Sequence, residues 1–246
     1  MNNVKTSMVY AAWILLICIL LAVIIIAFSF LACPLEKADL SALKIEQPSV
    51  LVIIDAGHGG RDGGAVSDDG VAEKDLNLQI ALKLRDLLTA CGVECMMTRE
   101  TDALVCDEND PALKGKIKQT DLKNRLQIAK DHPSAVFVSI HMNKFPQEKY
   151  FGLQVYYSKN NTQSNDLANE IQKNTRKHLQ PQNSRKIKAA DSKIFLLDRI
   201  QSPAVLVECG FLSNREECKR LCSGDYQNEL AYILCFSLMK NMDAGV

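Results

Sequence analysis

From residue 49 onward, apolar positions recur with two different periods. Val50 to Ile54, Ala135 to Ile140 (broken only by Ser139) and Pro203 to Val207 are nearly unbroken apolar runs. Runs of this length suit strands covered on both faces, as in a largely parallel sheet. Between them the spacing becomes helical. Over Glu73–Ala90, residues Leu76, Ile80, Leu84, Leu87 and Leu88 share one face, and Gly92 stops the helix. Leu122, Leu126 and Ala129 mark a second helix, with Thr120 or Asp121 placed to cap it. Weaker strands are expected at Val93–Thr98, Leu153–Tyr157 and Lys193–Leu197, and further helices at Ser164–Leu179 and Gln227–Met239. The alternation predicts an α/β domain: a single mixed, mostly parallel sheet of about six strands with helices on both faces. Residues 100–118 are charged and without period, and read as a surface excursion.

A third pattern precedes the domain. Met8 to Cys33 carries no charged residue and is mostly Leu, Ile, Val and Ala. About 20 apolar residues cross a bilayer core as a helix, whereas a secretory signal core is shorter, about 7–15. Tyr10 and Trp13 fit an interfacial belt, and Lys5 lies on the side expected to stay inside. The expectation is an N-terminal tail at 1–7, one transmembrane anchor at 8–33, a polar linker at 34–48 and a catalytic domain at 49–246. That domain would lie outside the cytoplasm, in the cell envelope. Phe30-Leu31-Ala32-Cys33 only loosely resembles a lipoprotein cleavage box.

Composition adds little to this picture. The chain has 246 residues and 29 cationic against 29 acidic side chains, so no basic surface points to a nucleic acid. Nine cysteines are an odd number with no zinc-binding spacing, and are expected to be free and mostly buried.

The chemistry collects where the strands end. Each of the three apolar runs leads into a side chain that can hold a metal or move a proton: His58, His141 and Glu208. In open α/β sheets ligands bind beyond the carboxyl ends of the strands, so the three are expected to converge. His58 sits among glycines 57, 59, 60, 63 and 64, whose spacing is neither a P-loop nor a dinucleotide fingerprint. A lone histidine would be read as solvated or as a satisfied core residue. Two at strand ends in one small domain point to a shared ligand role. Glu208 follows five apolar residues, so its charge needs a metal, a cation or a catalytic use. The structural alternative is an ion pair with Arg99 or Arg199. Glu73, at the start of a helix, is by itself equally well explained by the helix dipole. His132 and His178 read as surface residues.

Four blocks, Asp55-Ala56-Gly57-His58-Gly59-Gly60, Glu73-Lys74-Asp75-Leu76-Asn77-Leu78, Ser139-Ile140-His141-Met142-Asn143 and Val207-Glu208-Cys209-Gly210-Phe211-Leu212-Ser213-Asn214, resemble the zinc-dependent N-acetylmuramoyl-L-alanine amidases. They occur in that family's order. An anchor with a single domain is most similar to the sporulation and germination type. The resemblance implies His58, Glu73 and His141 as ligands of one zinc ion and Glu208 as the catalytic carboxylate. It implies peptidoglycan as substrate, in vegetative wall or spore cortex, with an activator protein left open. Ala56 departs from the proline usual in the family; it lies in the turn, not among the ligands. A zinc peptidase of similar fold and a non-catalytic wall-binding module are the competing readings.

Overall fold

The computed structural model describes residues 50–243 and, before them, residues 13, 16 and 19–21. The chain divides between Pro48 and Ser49 into two compact units. The expected tail, anchor and linker fall outside the described residues, except for those five positions, which are helical. Among the described residues no helix is long and apolar enough to cross a membrane.

The domain runs β1 (Val52–Ala56), α1 (Glu73–Ala90), β2 (Cys95–Met97), a 3-10 turn (Pro111–Leu113), α2 (Ile117–Asp131), β3 (Val136–Asn143), β4 (Gln154–Tyr157), α3 (Gln163–His178), β5 (Lys188–Ala189), β6 (Ala204–Phe211), α4 (Arg215–Leu221) and α5 (Gly224–Asp243). Six strands form one sheet in the order β2-β1-β3-β6-β4-β5. The first four are parallel to one another; β4 runs antiparallel to β6, and β5 is parallel to β4. The sheet is therefore mixed and mostly parallel, as its apolar runs predict.

Strand alternation distributes the core over two faces. Val52, Ile54, Val138, Ile140, Val205 and Val207 belong to one apolar cluster, which α1, α3 and α5 join through residues such as Ile80, Leu84, Ile171 and Leu234. Ile53, Phe137, Ala204 and Leu206 form the other with Leu126 and Ala129 of α2. Leu196, Leu197 and Ile200 complete that second layer.

Those last residues correct one expectation. Lys193–Leu197 is a run of turns, closed by Asp198 N–H to the Ile194 carbonyl and Ile200 N–H to that of Leu196. Its apolar side chains are buried without a ladder. The actual edge strand, Lys188–Ala189, is exposed at both positions and so carries no hydrophobic signal. A second correction concerns the start of α2, at Ile117. Asp121 turns inward instead of capping; it accepts from Val105 N–H at 2.7 Å and from Arg125 Nε at 2.8 Å. Helix α4 was not expected; Asn214 caps it by accepting from Glu217 N–H. The seven cysteines among the described residues are free, with Cys209, Cys218 and Cys235 buried but Cys91 and Cys222 exposed. Packing thus accounts for only some of them.

One charge network lies inside the second face. Arg125, 1% exposed, pairs with Asp55 at 2.6 Å and Asp121 at 2.8 Å. Burial works against the ionised form of Asp55, but Arg125 and the Ser139 hydroxyl hold its carboxyl below the usual range. Removing one partner of such a pair strands a buried charge, at a cost of about 3–5 kcal/mol. Arg125→Met is expected to lose that much in urea unfolding. Arg61→Met, at an exposed pair with Glu108, should lose under about 1 kcal/mol.

Candidate metal centre

Beyond β1 the chain turns sharply. His58 has φ 63° and Gly59 and Gly60 have φ 138° and 52°. A left-handed conformation costs a non-glycine residue about 1–2 kcal/mol, so His58 must be held there. Arg125 Nη2 donates to its carbonyl at 2.7 Å. Gly59 and Asp62 exchange two backbone hydrogen bonds, at 3.0 and 2.9 Å. Asp62 also places Oδ2 3.0 Å from His58 Nδ1, and Lys118 lies 3.2 Å from the same oxygen. A carboxylate on one imidazole nitrogen leaves the other to act as a ligand. Asp62 was not picked out by sequence; its only mark there is four-residue spacing from His58, in a turn rather than a helix.

That free nitrogen, His58 Nε2, lies 3.3 Å from Glu73 Oε1. Glu73 opens α1, is 3% exposed, and is met on both oxygens. Its Oε1 lies 2.8 Å from His141 Nδ1 and accepts from Met142 N–H at 3.0 Å, while Oε2 accepts from Ala65 N–H at 2.7 Å. Burial alone would raise its pKa; the hydrogen bonds and charge of the two imidazoles outweigh that and hold it far below the usual carboxylate range. His58 shifts the other way. Burial disfavours its protonation, yet Glu73 and Asp62 together raise its pKa.

His141 and Glu208 are cross-strand neighbours, facing each other in the register of β3 and β6. Both lie inside their strands rather than just after them, because each strand continues to Asn143 or Phe211. One ligand atom from each of His58, Glu73 and His141 falls within 4.8 Å of the others. The two imidazole rings meet edge to face, centroids 5.0 Å apart. Two imidazole nitrogens and one carboxylate oxygen are a donor set suited to a catalytic divalent ion such as zinc. The backbone leaves space for it: a Cβ on Gly57 would overlap the His141 ring, and one on Gly64, at φ 67°, would come within 2.6 Å of Glu73 Oε2.

Among the described residues Glu208, unlike Glu73, has no hydrogen-bond or ion-pair partner. Its Oε2 is buried without a hydrogen bond. Arg99 instead gives its guanidinium to the carbonyls of Ala56, Gly57, Lys74 and Thr101, and Arg199 gives its own to Asp198 and Phe195. The ion-pair alternative is thereby excluded. Burial, with a contribution from the Glu73 charge and against the pull of the two imidazoles, pushes Glu208 up to about 7. Such a group exchanges a proton near neutrality.

The excursion at 100–118 closes over the same turn. Asp102 accepts from Gly60 N–H at 2.8 Å and pairs with Lys74 at 2.6 Å. Glu108 accepts from Arg61 N–H at 3.2 Å. The charged stretch expected as a surface excursion thus braces the His58 loop.

Comparison with known proteins agrees with this architecture. A germination-specific N-acetylmuramoyl-L-alanine amidase of Bacillus subtilis is 34% identical over 181 residues, 74% of this chain and 75% of that protein. The CwlD amidase of Clostridioides difficile, solved in complex with the GerS lipoprotein, is 39% identical with a TM-score of 0.75, over 79% of this chain and 99% of the other. The amidase AmiC2 of Nostoc punctiforme is 31% identical with a TM-score of 0.67, over 79% and 98%. The N-acetylmuramoyl-L-alanine amidase family model, Amidase_3, matches residues 52–238. By that match and these relatives, the chain belongs to the N-acetylmuramoyl-L-alanine amidase family.

Proposed function

We propose that this enzyme is zinc-dependent and hydrolyses the amide between the lactyl group of N-acetylmuramic acid and L-alanine in peptidoglycan. The observation that carries the reading is the meeting of His58, Glu73 and His141 at one point, with the unpartnered Glu208 carboxyl across the strand pair. His58, Glu73 and His141 would hold the metal, which supplies Lewis-acid polarisation of the scissile carbonyl. Glu208 takes a proton from the attacking water and returns it to the departing L-alanine nitrogen. Its position beside His141 and its pKa near neutrality suit both halves of that transfer. Asp62 and the Arg125 contact to His58 keep the imidazole pointed inward.

The germination-specific relative and the CwlD structure support a role in spore-cortex or wall remodelling. The lipoprotein bound in the CwlD structure supports a protein partner here as well, which would be the activator left open above. The apolar segment 8–33 would anchor the chain in a membrane, with the catalytic domain outside the cytoplasm.

Three outcomes test this reading. Incubation with purified sacculi and mass analysis should show intact stem peptides beginning at L-alanine, and chelation should stop their release; trimmed peptides would indicate a peptidase. Glu208→Gln should lose about 10²–10⁴-fold in kcat yet keep one zinc per chain by metal analysis. His58→Ala should lose both, and Gly57→Ala should lose zinc by displacing the His141 ring. In pH-rate profiles, kcat/KM should fall on the acid side as Glu208 takes up its proton. A bound cation favours the ionised carboxylate, so the midpoint of that limb should lie no higher than about 7.

A further inference from the structure

A cleft of about 410 Å³ opens on the side of β4 and β5, one strand over from Glu208. Three lining residues tie it to the catalytic strands. Gln154 is the register partner of Glu208, Asn143 follows His141 by two positions, and Phe211 follows Glu208 by three. At its rim the exposed rings of Phe145 and Tyr150 meet edge to face, centroids 5.0 Å apart.

The charge of this cleft is one-sided. Arg185 and Lys188 line it, and no lining residue is acidic. Arg185 is firmly placed: Nε donates to the Phe151 carbonyl at 2.7 Å, Nη1 to Gln154 Oε1 at 3.2 Å, and the guanidinium lies 4.3 Å over the Phe211 ring. Among the described residues its Nη2 has no hydrogen-bond acceptor and no carboxylate comes within ion-pairing distance; the buried Glu217 carboxylate, which feels its charge, is committed to Gly152 and Phe211 N–H. Lys188, exposed and also without an ion pair, lies 5.8 Å from the centre of the Tyr156 ring. A guanidinium fixed by stacking and left unpaired offers a planar fork that matches a carboxylate. The Tyr156 phenol, whose pKa burial raises, is also subject to the Glu208 and Asp191 charges and to the opposing Arg185 charge.

We propose that Arg185, assisted by Lys188, binds a carboxylate of the stem peptide on the L-alanine side of the cleaved amide, and so selects acidic over amidated stems. This deepens the amidase reading and rests on it. Neighbouring strands lie about 4.8 Å apart and two extended residues span about 7 Å, so a carboxylate one residue beyond L-alanine covers the single-strand step from Glu208 to Gln154. The rings of Phe145 and Tyr150 then flank the peptide.

The test is equilibrium binding of L-alanyl-D-glutamate and of its diamide to the zinc-loaded protein, with wild type, Arg185→Gln, Arg185→Lys and Lys188→Gln compared. Wild type should bind the acid about tenfold or more tightly than the diamide. That preference should vanish in Arg185→Gln, shrink in Arg185→Lys, which keeps charge but not the fork, and shrink in Lys188→Gln. Zinc content and thermal unfolding of each variant serve as controls. Should Arg185→Gln fail to fold, Lys188→Gln decides, since that exposed side chain packs against little. Equal binding of both peptides to wild type, or a preference unchanged in the folded variants, overturns the proposal. Cleavage of sacculi by wild type, followed in parallel, is a separate readout: its absence sinks the amidase reading while leaving any carboxylate preference standing.

Discussion

Three consecutive carbonyls at the end of β1, those of Ala56, Gly57 and His58, turn away from the sheet ladder inside the protein, and two guanidinium groups gather them. Arg99 and Arg125 both reach Ala56; Arg99 and Asn77 reach Gly57; Arg125 reaches His58. Buried backbone acceptors need such partners, because an unmade hydrogen bond in the interior costs the desolvation of the group. With them in place the chain can leave the strand abruptly and present His58 in a left-handed conformation. The positive charge this brings inside is balanced by Asp55 and Asp121. A structural charge network on one face of the sheet therefore determines where the His58 imidazole stands beyond the end of β1.

The two glutamates of the centre show how surroundings divide one chemistry into two roles. Glu73 has donors directed at both of its oxygens and stays ionised far into acid. Glu208, half-buried on its strand with one oxygen buried and without a hydrogen bond, is pushed toward neutrality. The first suits a fixed ligand. The second suits a group that must gain and lose a proton in each cycle.

How much of this was legible beforehand depended on whether the signal was apolar. Long buried strands and amphipathic helices announce themselves, so the sheet, both its faces and three of the four central residues could be located from hydrophobic runs. Glu73 could not: a carboxylate at a helix start is commonplace, and only family resemblance singled it out. Asp62, Asn77, Arg99 and Arg125 act through polar contacts across 4 to 70 residues of sequence, and no local pattern encodes such pairings. The turn at 193–197 misled because burying Leu196 and Leu197 does not require a ladder, while the exposed pair Lys188–Ala189 forms one without any buried apolar residue.

The reversal of direction at β4 has an evolutionary consequence. Because β4 runs against β6, the loop 144–153 enters the sheet beside Glu208; its ends are held by Phe145 N–H donating to the Ser213 hydroxyl and Gly152 N–H donating to the Glu217 carboxylate, and its middle by Asn214 on the Glu148 carbonyl and Arg185 on that of Phe151. None of the four central residues lies on that loop. Insertions or deletions there would remodel the approach to Glu208 while β3 and β6 kept their register, so diet can change on this scaffold without rebuilding the centre.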